Sequence, residues 1–383
     1  MKKGHAFFSL FLLAMVCYTA ASCNDAEKKK KKAIAPLALK DAFTDKFYIG
    51  VAINRKQATG QDVKGQQLIR QQFNSLSPEN DLKWENIHPE RNRYAFDAAD
   101  VYVKSGTDAG MFVIGHTLVW HSQTPDWVFE DAQGKPLSRN ALLAVMQQHI
   151  ITVVGRYKGR IKGWDVVNEA LNDNGTMRDS KWRSIIGDDF IEKAFEFAHA
   201  ADPDAELYYN DYNLYKPEKR AGAIAIINRI KAKGIPVAAV GEQAHYGLVY
   251  PALAEVERVL TDFIKAGIDV NFTELDISVL PDAQGVDGAD VSNTAAYNQK
   301  LNPYASGLPD KVQQELAKRY GDLFALFMKY ESHVGRITFW GLTDGDSWLN
   351  DWPVKGRTNY PLLFDRDYKI KEPVQKAILG VTR

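Results

Sequence analysis

From about Leu37 to the C-terminus one pattern recurs: a short run rich in β-branched and aromatic residues, a polar tail to that run, then an amphipathic stretch with helical spacing. Strands are predicted near Phe47–Ile53, Phe73–Leu76, Met111–Leu118, Ile161–Val167, Glu206–Asn210, Val237–Gln243, Asp269–Leu275 and Arg336–Gly341. The clearest helix places Leu253, Val256, Leu260, Phe263 and Ile264 on one face and closes at Gly267. A second carries Ile224, Ile227 and Ile230 ahead of Gly234 and Pro236. Eight strand–helix units over about 340 residues fit one α/β domain, a (β/α)8 TIM barrel with extended loops. The competing doubly wound sheet calls for a glycine-rich dinucleotide turn after the first strand, and none follows Ile53. No linker, repeat or low-complexity stretch divides residues 37–383.

A barrel concentrates its chemistry at the carboxyl ends of its strands, and those ends are unusually polar and aromatic here. Ser77 to Trp84 follow the second run, His116 to His121 the third, Asn168 and Glu169 the fourth. Asn210, Asp211 and Tyr212 end the fifth, Gln243 and His245 the sixth, Glu274 and Asp276 the seventh. Trp340 through Trp348 follow the eighth. A barrel built for stability alone would not gather so many groups that are costly to bury at one rim. Asn168-Glu169 at the end of a β-branched strand reads as half of a catalytic carboxylate pair, with its partner across the mouth.

The 48 basic and 48 acidic side chains leave a formal net charge of zero. That balance argues against nucleic acid or a membrane surface as the main partner. Eight Trp and seventeen Tyr are somewhat rich; aromatic faces suit sugar rings, and a large core would use them equally well.

Residues 1–22 read as an export signal, with Lys2 and Lys3 ahead of an apolar run from Phe7 to about Ala21 and small residues beyond it. The run is too short for a spanning helix. Both cysteines, Cys17 and Cys23, belong to this leader, so no disulfide or cysteine nucleophile is expected in the domain. Ala20-Ala21-Ser22-Cys23 resembles the lipobox of bacterial lipoproteins, departing at the first position, where Leu is usual. Lipidation at Cys23 is preferred to simple cleavage, which points to anchoring in the bacterial cell envelope, at the outer membrane or surface, rather than free secretion. Residues 23–36, with five consecutive lysines, read as a solvated tether.

Taken together, PENDLKW, GHTLVWHSQTPDW, WDVVNEAL, NDYN, GEQAHYG, TELDIS and TFWGLTDGDSWL, in this order, resemble the glycoside hydrolase family 10 endo-β-1,4-xylanases. The resemblance implies a TIM barrel, retaining hydrolysis of xylan and xylo-oligosaccharides, no metal and no organic cofactor. It matches Glu169 to the acid/base and Glu274 to the nucleophile. Lys83 and His116 match positions binding the sugar next to the scissile bond on the glycone side, Glu79 and Asn80 those binding the next sugar. Trp120, Trp340 and Trp348 match aromatic walls of the cleft. Asn168 is assigned to the sugar 2-hydroxyl, Gln243 to the same site face, and His245 with Asp276 to orienting the nucleophile. Asn210 and Tyr212 are weaker candidates; Trp84 and His121 are left to packing or support. A raised proton affinity at Glu169 is expected from like-charge repulsion by Glu274. Glu242 replaces a usually small or apolar residue and is expected to face the helices, with no role assigned. The stretch Pro281–Pro309 reads as a loop shaping leaving-group subsites. A monomer is expected.

Rival readings differ in chemistry. A metallohydrolase would recruit His116, His121, His245, Asp211 and Asp276, but neither a His-x-His strand nor a His-Glu-x-x-His helix is present. A non-catalytic glycan-binding lipoprotein has no need of both glutamates. A β-1,4-glucan hydrolase on the same barrel is the closest competitor, separated by whether the cleft leaves room for a hydroxymethyl group.

Overall fold

The computed structural model describes residues 37–283 and 289–382. The expected signal, tether, Cys17 and Cys23 lie outside the described residues, as do residues 284–288 of the long loop. The strands are β1 (Tyr48–Ile53), β2 (Ser75–Pro78), β3 (Phe112–Trp120), β4 (Gly163–Asn168), β5 (Glu206–Asp211), β6 (Ala239–Glu242), β7 (His245–Gly247), β8 (Asp269–Ser278) and β9 (Val334–Phe339). All pair in parallel, from β1 through β6 to β8 and β9, and β9 returns to β1, closing a ring of eight positions. The expected barrel is the observed one.

The sixth position departs from the expected single strand. It is split into β6, beside the lower part of β8, and β7, beside its upper part, with His245 opposite Asp276. The break falls at Gln243-Ala244, where Ala244 is left-handed at φ 63°. Glu242 holds that break. Its two oxygens accept the N–H groups of Leu214 at 2.8 Å and Ala244 at 3.2 Å. The carboxylate that sequence reasoning left without a role thus satisfies two buried backbone donors.

Most of the apolar core lies between the barrel and its helices. Helix Leu253–Lys265 buries Val256, Val259, Leu260 and Phe263, each contributing roughly 1.5–3 kcal/mol. Its chain passes through a left-handed Gly267 just beyond the last turn, as expected. Leu253, expected in the buried stripe, is exposed at the first residue of the helix. In helix Pro217–Ala232 the buried apolar residues are Ala223, Ile226, Ile227 and Ile230. Ile224, expected to point inward, is only partly buried; Ile226 takes that place because the stripe is set by which residues meet the strands.

Inside the ring, small residues leave space for functional amides. A Cβ on Gly241 would lie 2.1 Å from Asn210 Oδ1, so glycine there is what admits the Asn210 side chain.

Candidate active site

At the carboxyl ends of the strands lies a cleft of about 250 Å³. It is lined by Glu79, Asn80, Lys83, His116, Trp120, Asn168, Glu169, Gln243, His245, Glu274, Trp340 and Trp348. Each of these is a residue the sequence nominated; Gln123, Ala289 and Val291, which also line the cleft, are not. Asn210 and Asp276 stand just behind them, touching Glu274 and His245, and Tyr212 accepts from Arg178, which also reaches the Glu169 carbonyl. Trp84 and His121 do not line it; Trp84 stacks on His149 at 3.6 Å between centroids.

The turn after β4 puts Glu169 in the left-handed region at φ 57°. Its N–H donates to the Asn210 carbonyl at 2.9 Å and its own carbonyl accepts Arg178 Nε at 3.1 Å. The carboxyl is buried and meets neutral donors: Trp120 Nε1 at 2.9 Å on one oxygen, Gln243 Nε2 at 2.9 Å and Asn168 Nδ2 at 3.1 Å on the other. Burial raises its proton affinity, the bonds from Gln243 and Trp120 oppose this, and repulsion from Glu274 adds to it. The direction agrees with expectation, but the leading cause is desolvation rather than the nearby charge.

Glu274 is equally buried and differently served. It accepts Asn210 Nδ2 at 2.9 Å and faces His245 Nε2 at 3.2 Å, while the other ring nitrogen of His245 meets Asp276 Oδ1 at 3.0 Å. Trp348 Nε1 donates to the second Asp276 oxygen at 2.8 Å. Burial works against charge on the imidazole, but Asp276 and Glu274 outweigh it and push His245 up to about 10. Burial alone would raise Glu274; hydrogen bonding to His245 and the charges of His116 and His245 lower it instead. Asn168 Oδ1 accepts Asn210 Nδ2 at 2.8 Å and Gln243 Nε2 at 3.3 Å, so an amide chain joins the two glutamates.

On the other flank, Lys83 Nζ donates to Asn80 Oδ1 at 2.9 Å and Gln123 Oε1 at 2.8 Å, and lies 5.0 Å from the Trp120 ring centroid. Burial lowers its proton affinity, and the charges of Glu274, Glu79 and Glu169 counter that. His116 Nδ1 pairs with Asp165 Oδ2 at 2.9 Å, and Trp340 stands edge-on to both His116 and His245.

Sequence reasoning missed Gln123, Arg178, Asp165, Ala289 and Val291. Gln123 sits three residues beyond Trp120 inside a motif already singled out, so its polarity could have been followed. Arg178 lies among turn residues with no local signal. Among the described residues, no cluster of three or more His, Cys, Asp or Glu side chains is arranged to hold a metal ion.

A buried pair of carboxyls, one with its proton affinity raised and one with it lowered, at the mouth of a parallel barrel is what glycosidic cleavage asks for. Residues 38–379 match Glycosyl hydrolase family 10. The chain belongs to that family. This family 10 glycoside hydrolase is 49% identical over 341 residues to endo-1,4-beta-xylanase A of Xylanibacter ruminicola, covering 89% of this chain and 92% of the relative. It is 41% identical over 345 residues to an endo-1,4-beta-xylanase of Geobacillus stearothermophilus, covering 89% and 98%. Among solved structures it resembles a GH10 endoxylanase from a sugarcane soil metagenome, with TM-score 0.85 and 43% identity, over 91% of this chain and all of that one.

Proposed function

We propose that this family 10 enzyme hydrolyses internal β-1,4-xylosidic bonds of xylan and xylo-oligosaccharides with retention, Glu169 serving as acid/base and Glu274 as nucleophile. The observation that carries the assignment of roles is the opposite tuning of two equally buried glutamates: raised at Glu169, lowered at Glu274. In the first step a Glu274 oxygen bonds to the anomeric carbon, the bond to the leaving oxygen breaks, and the Glu169 proton goes to that oxygen. The ester at Glu274 removes the negative charge that favoured a proton on its neighbour, so the proton affinity of Glu169 falls. Glu169, now ionised, takes a proton from water as the water oxygen displaces Glu274. Asp276 and His245 keep Glu274 ionised and aimed. Asn168 and Asn210 are positioned to favour a 2-hydroxyl whose hydrogen bonds strengthen toward the oxocarbenium-like transition state. Glu79, Asn80, Lys83 and His116 bind the glycone sugars.

The preference for xylan over glucan is assigned to Trp340 and Trp348, whose indoles crowd His245 at 6.4 and 4.8 Å between centroids and leave little room for a hydroxymethyl group. The domain occupies residues 37–383 and acts as a monomer. The exported chain is held to the envelope through lipidated Cys23 and a tether over residues 23–36.

Azide and an activated aryl xylobioside test the roles. Glu274→Ala should yield an α-xylobiosyl azide and Glu169→Ala a β-azide; the same anomer from both variants would overturn the assignment. Alongside, rates on glucuronoxylan and arabinoxylan should exceed that on carboxymethylcellulose by orders of magnitude, and equal rates would remove the specificity claim.

A further inference from the structure

The loop after β8 does more than border the cleft. Ala289 and Val291 line it, and Asp290 between them reaches Arg178 at 2.8 Å, with both side chains largely buried. Arg178 uses all three of its nitrogens: Nε to the Glu169 carbonyl at 3.1 Å, one terminal nitrogen to Asp290, the other to Tyr212 Oη at 2.6 Å. One guanidinium therefore ties together the segments after β4, β5 and β8. It does so at the residue whose left-handed backbone persists only if its surroundings hold it. These segments stand away from the β2 end that carries Glu79, Asn80 and Lys83, which leaves them on the leaving-group side.

We propose that Arg178 and Asp290 are positioning residues for the acid/base: Arg178 holds the Glu169 turn by its carbonyl, and Asp290 holds Arg178, so the loop walling the leaving-group side also sets the aim of the acid. This rests on the reading of Glu169 as acid/base. A planar, forked cation suits the task because three acceptors in different directions can be held at once.

The pair also acts through charge. The charged or titratable groups around Glu169 are Glu274 from β8, Lys83 beyond β2, Tyr209 and Asp211 from β5, Tyr212 just beyond it, and Arg178. Behind Arg178 stand Asp290 and His121, with Lys219 beyond Asp211. Arg178 favours the ionised form of Glu169, and Asp290 offsets that charge.

The test uses the full enzyme with Asp290→Asn, Arg178→Gln and Arg178→Lys. Asp290→Asn should move the basic limb of the kcat/KM profile to lower pH, and Arg178→Gln should move it to higher pH. Arg178→Lys should restore the limb without restoring the full rate. On xylohexaose, whose leaving sugar needs the proton, kcat should fall roughly tenfold or more. On a dinitrophenyl xylobioside, whose leaving group needs none, glycosylation should be unchanged. Shifts of the same sign in the Asn and Gln variants, or equal losses on both substrates, would overturn the proposal. Failure of the underlying reading is seen separately: Glu169→Ala would then lose equally on both substrates.

Discussion

Three buried glutamates at the barrel mouth differ in the donors that meet them. Glu274 faces an imidazolium and an amide, and its charge is kept. Glu169 meets only neutral donors, and burial prevails. Glu242 meets two backbone N–H groups; burial again prevails and pushes it up to about 7. Being raised above its unfolded value, Glu242 contributes full stability below about pH 4.5 and loses it as pH climbs through about 7, a span worth up to about 3 kcal/mol. Glu242→Gln should therefore gain thermal stability relative to the parent as pH rises from 4 to 8. Parallel melting curves across that range would contradict it. Of these three, Glu169 and Glu274 were legible because they stand inside long motifs, Glu169 just past β4 and Glu274 within β8. The work of Glu242 was not, since its partners Leu214 and Ala244 adopt their positions only once β6 breaks.

At the scale of elements, the segment that presents Lys83 is held by a stack of rings. Its short helix Trp84–Ile87 brings Trp84 onto His149 of helix Arg139–Arg156, at 3.6 Å, and His88 onto Tyr94 at 3.7 Å, while the two imidazoles meet Nδ1 to Nδ1 at 3.2 Å. Burial lowers the proton affinity of both histidines. Stability from this stack is therefore full above about pH 6.5 and declines as pH falls, because the unfolded chain takes up protons that the folded one refuses. His149→Phe keeps an aromatic face and removes one titrating site. Denaturant unfolding between pH 7 and 4 should show a shallower acid decline in the variant, and an unaltered slope would count against the stack as its source. Sequence periodicity found the strands and helices, since alternation and helical spacing are local. It could not divide the sixth strand or choose Ile226 over Ile224, because both follow from neighbours far along the chain.

For the whole molecule, the closing pairs β9 to β1 and β6 to β8 make a ring that does not use residues before Leu37. A chain beginning at Leu37 should keep the melting temperature and xylan activity of the full protein and, on the proposed lipidation at Cys23, lose membrane association. A drop in either of the first two would place part of the fold in the leader. The barrel and the polar rim of its mouth were legible along the chain, because strand alternation, helical spacing and polar strand ends are written in adjacent residues, while the two glutamates were singled out through the long motifs that resemble family 10. Which glutamate is burdened by burial, and which is relieved by its neighbours, emerged from the folded arrangement alone. That arrangement also decided that Gln123 braces Lys83 and that Arg178 reaches Asp290 across 112 positions. The physical reason is that desolvation and hydrogen bonding depend on which groups the closed barrel brings face to face, and their separation along the chain carries no trace of that meeting.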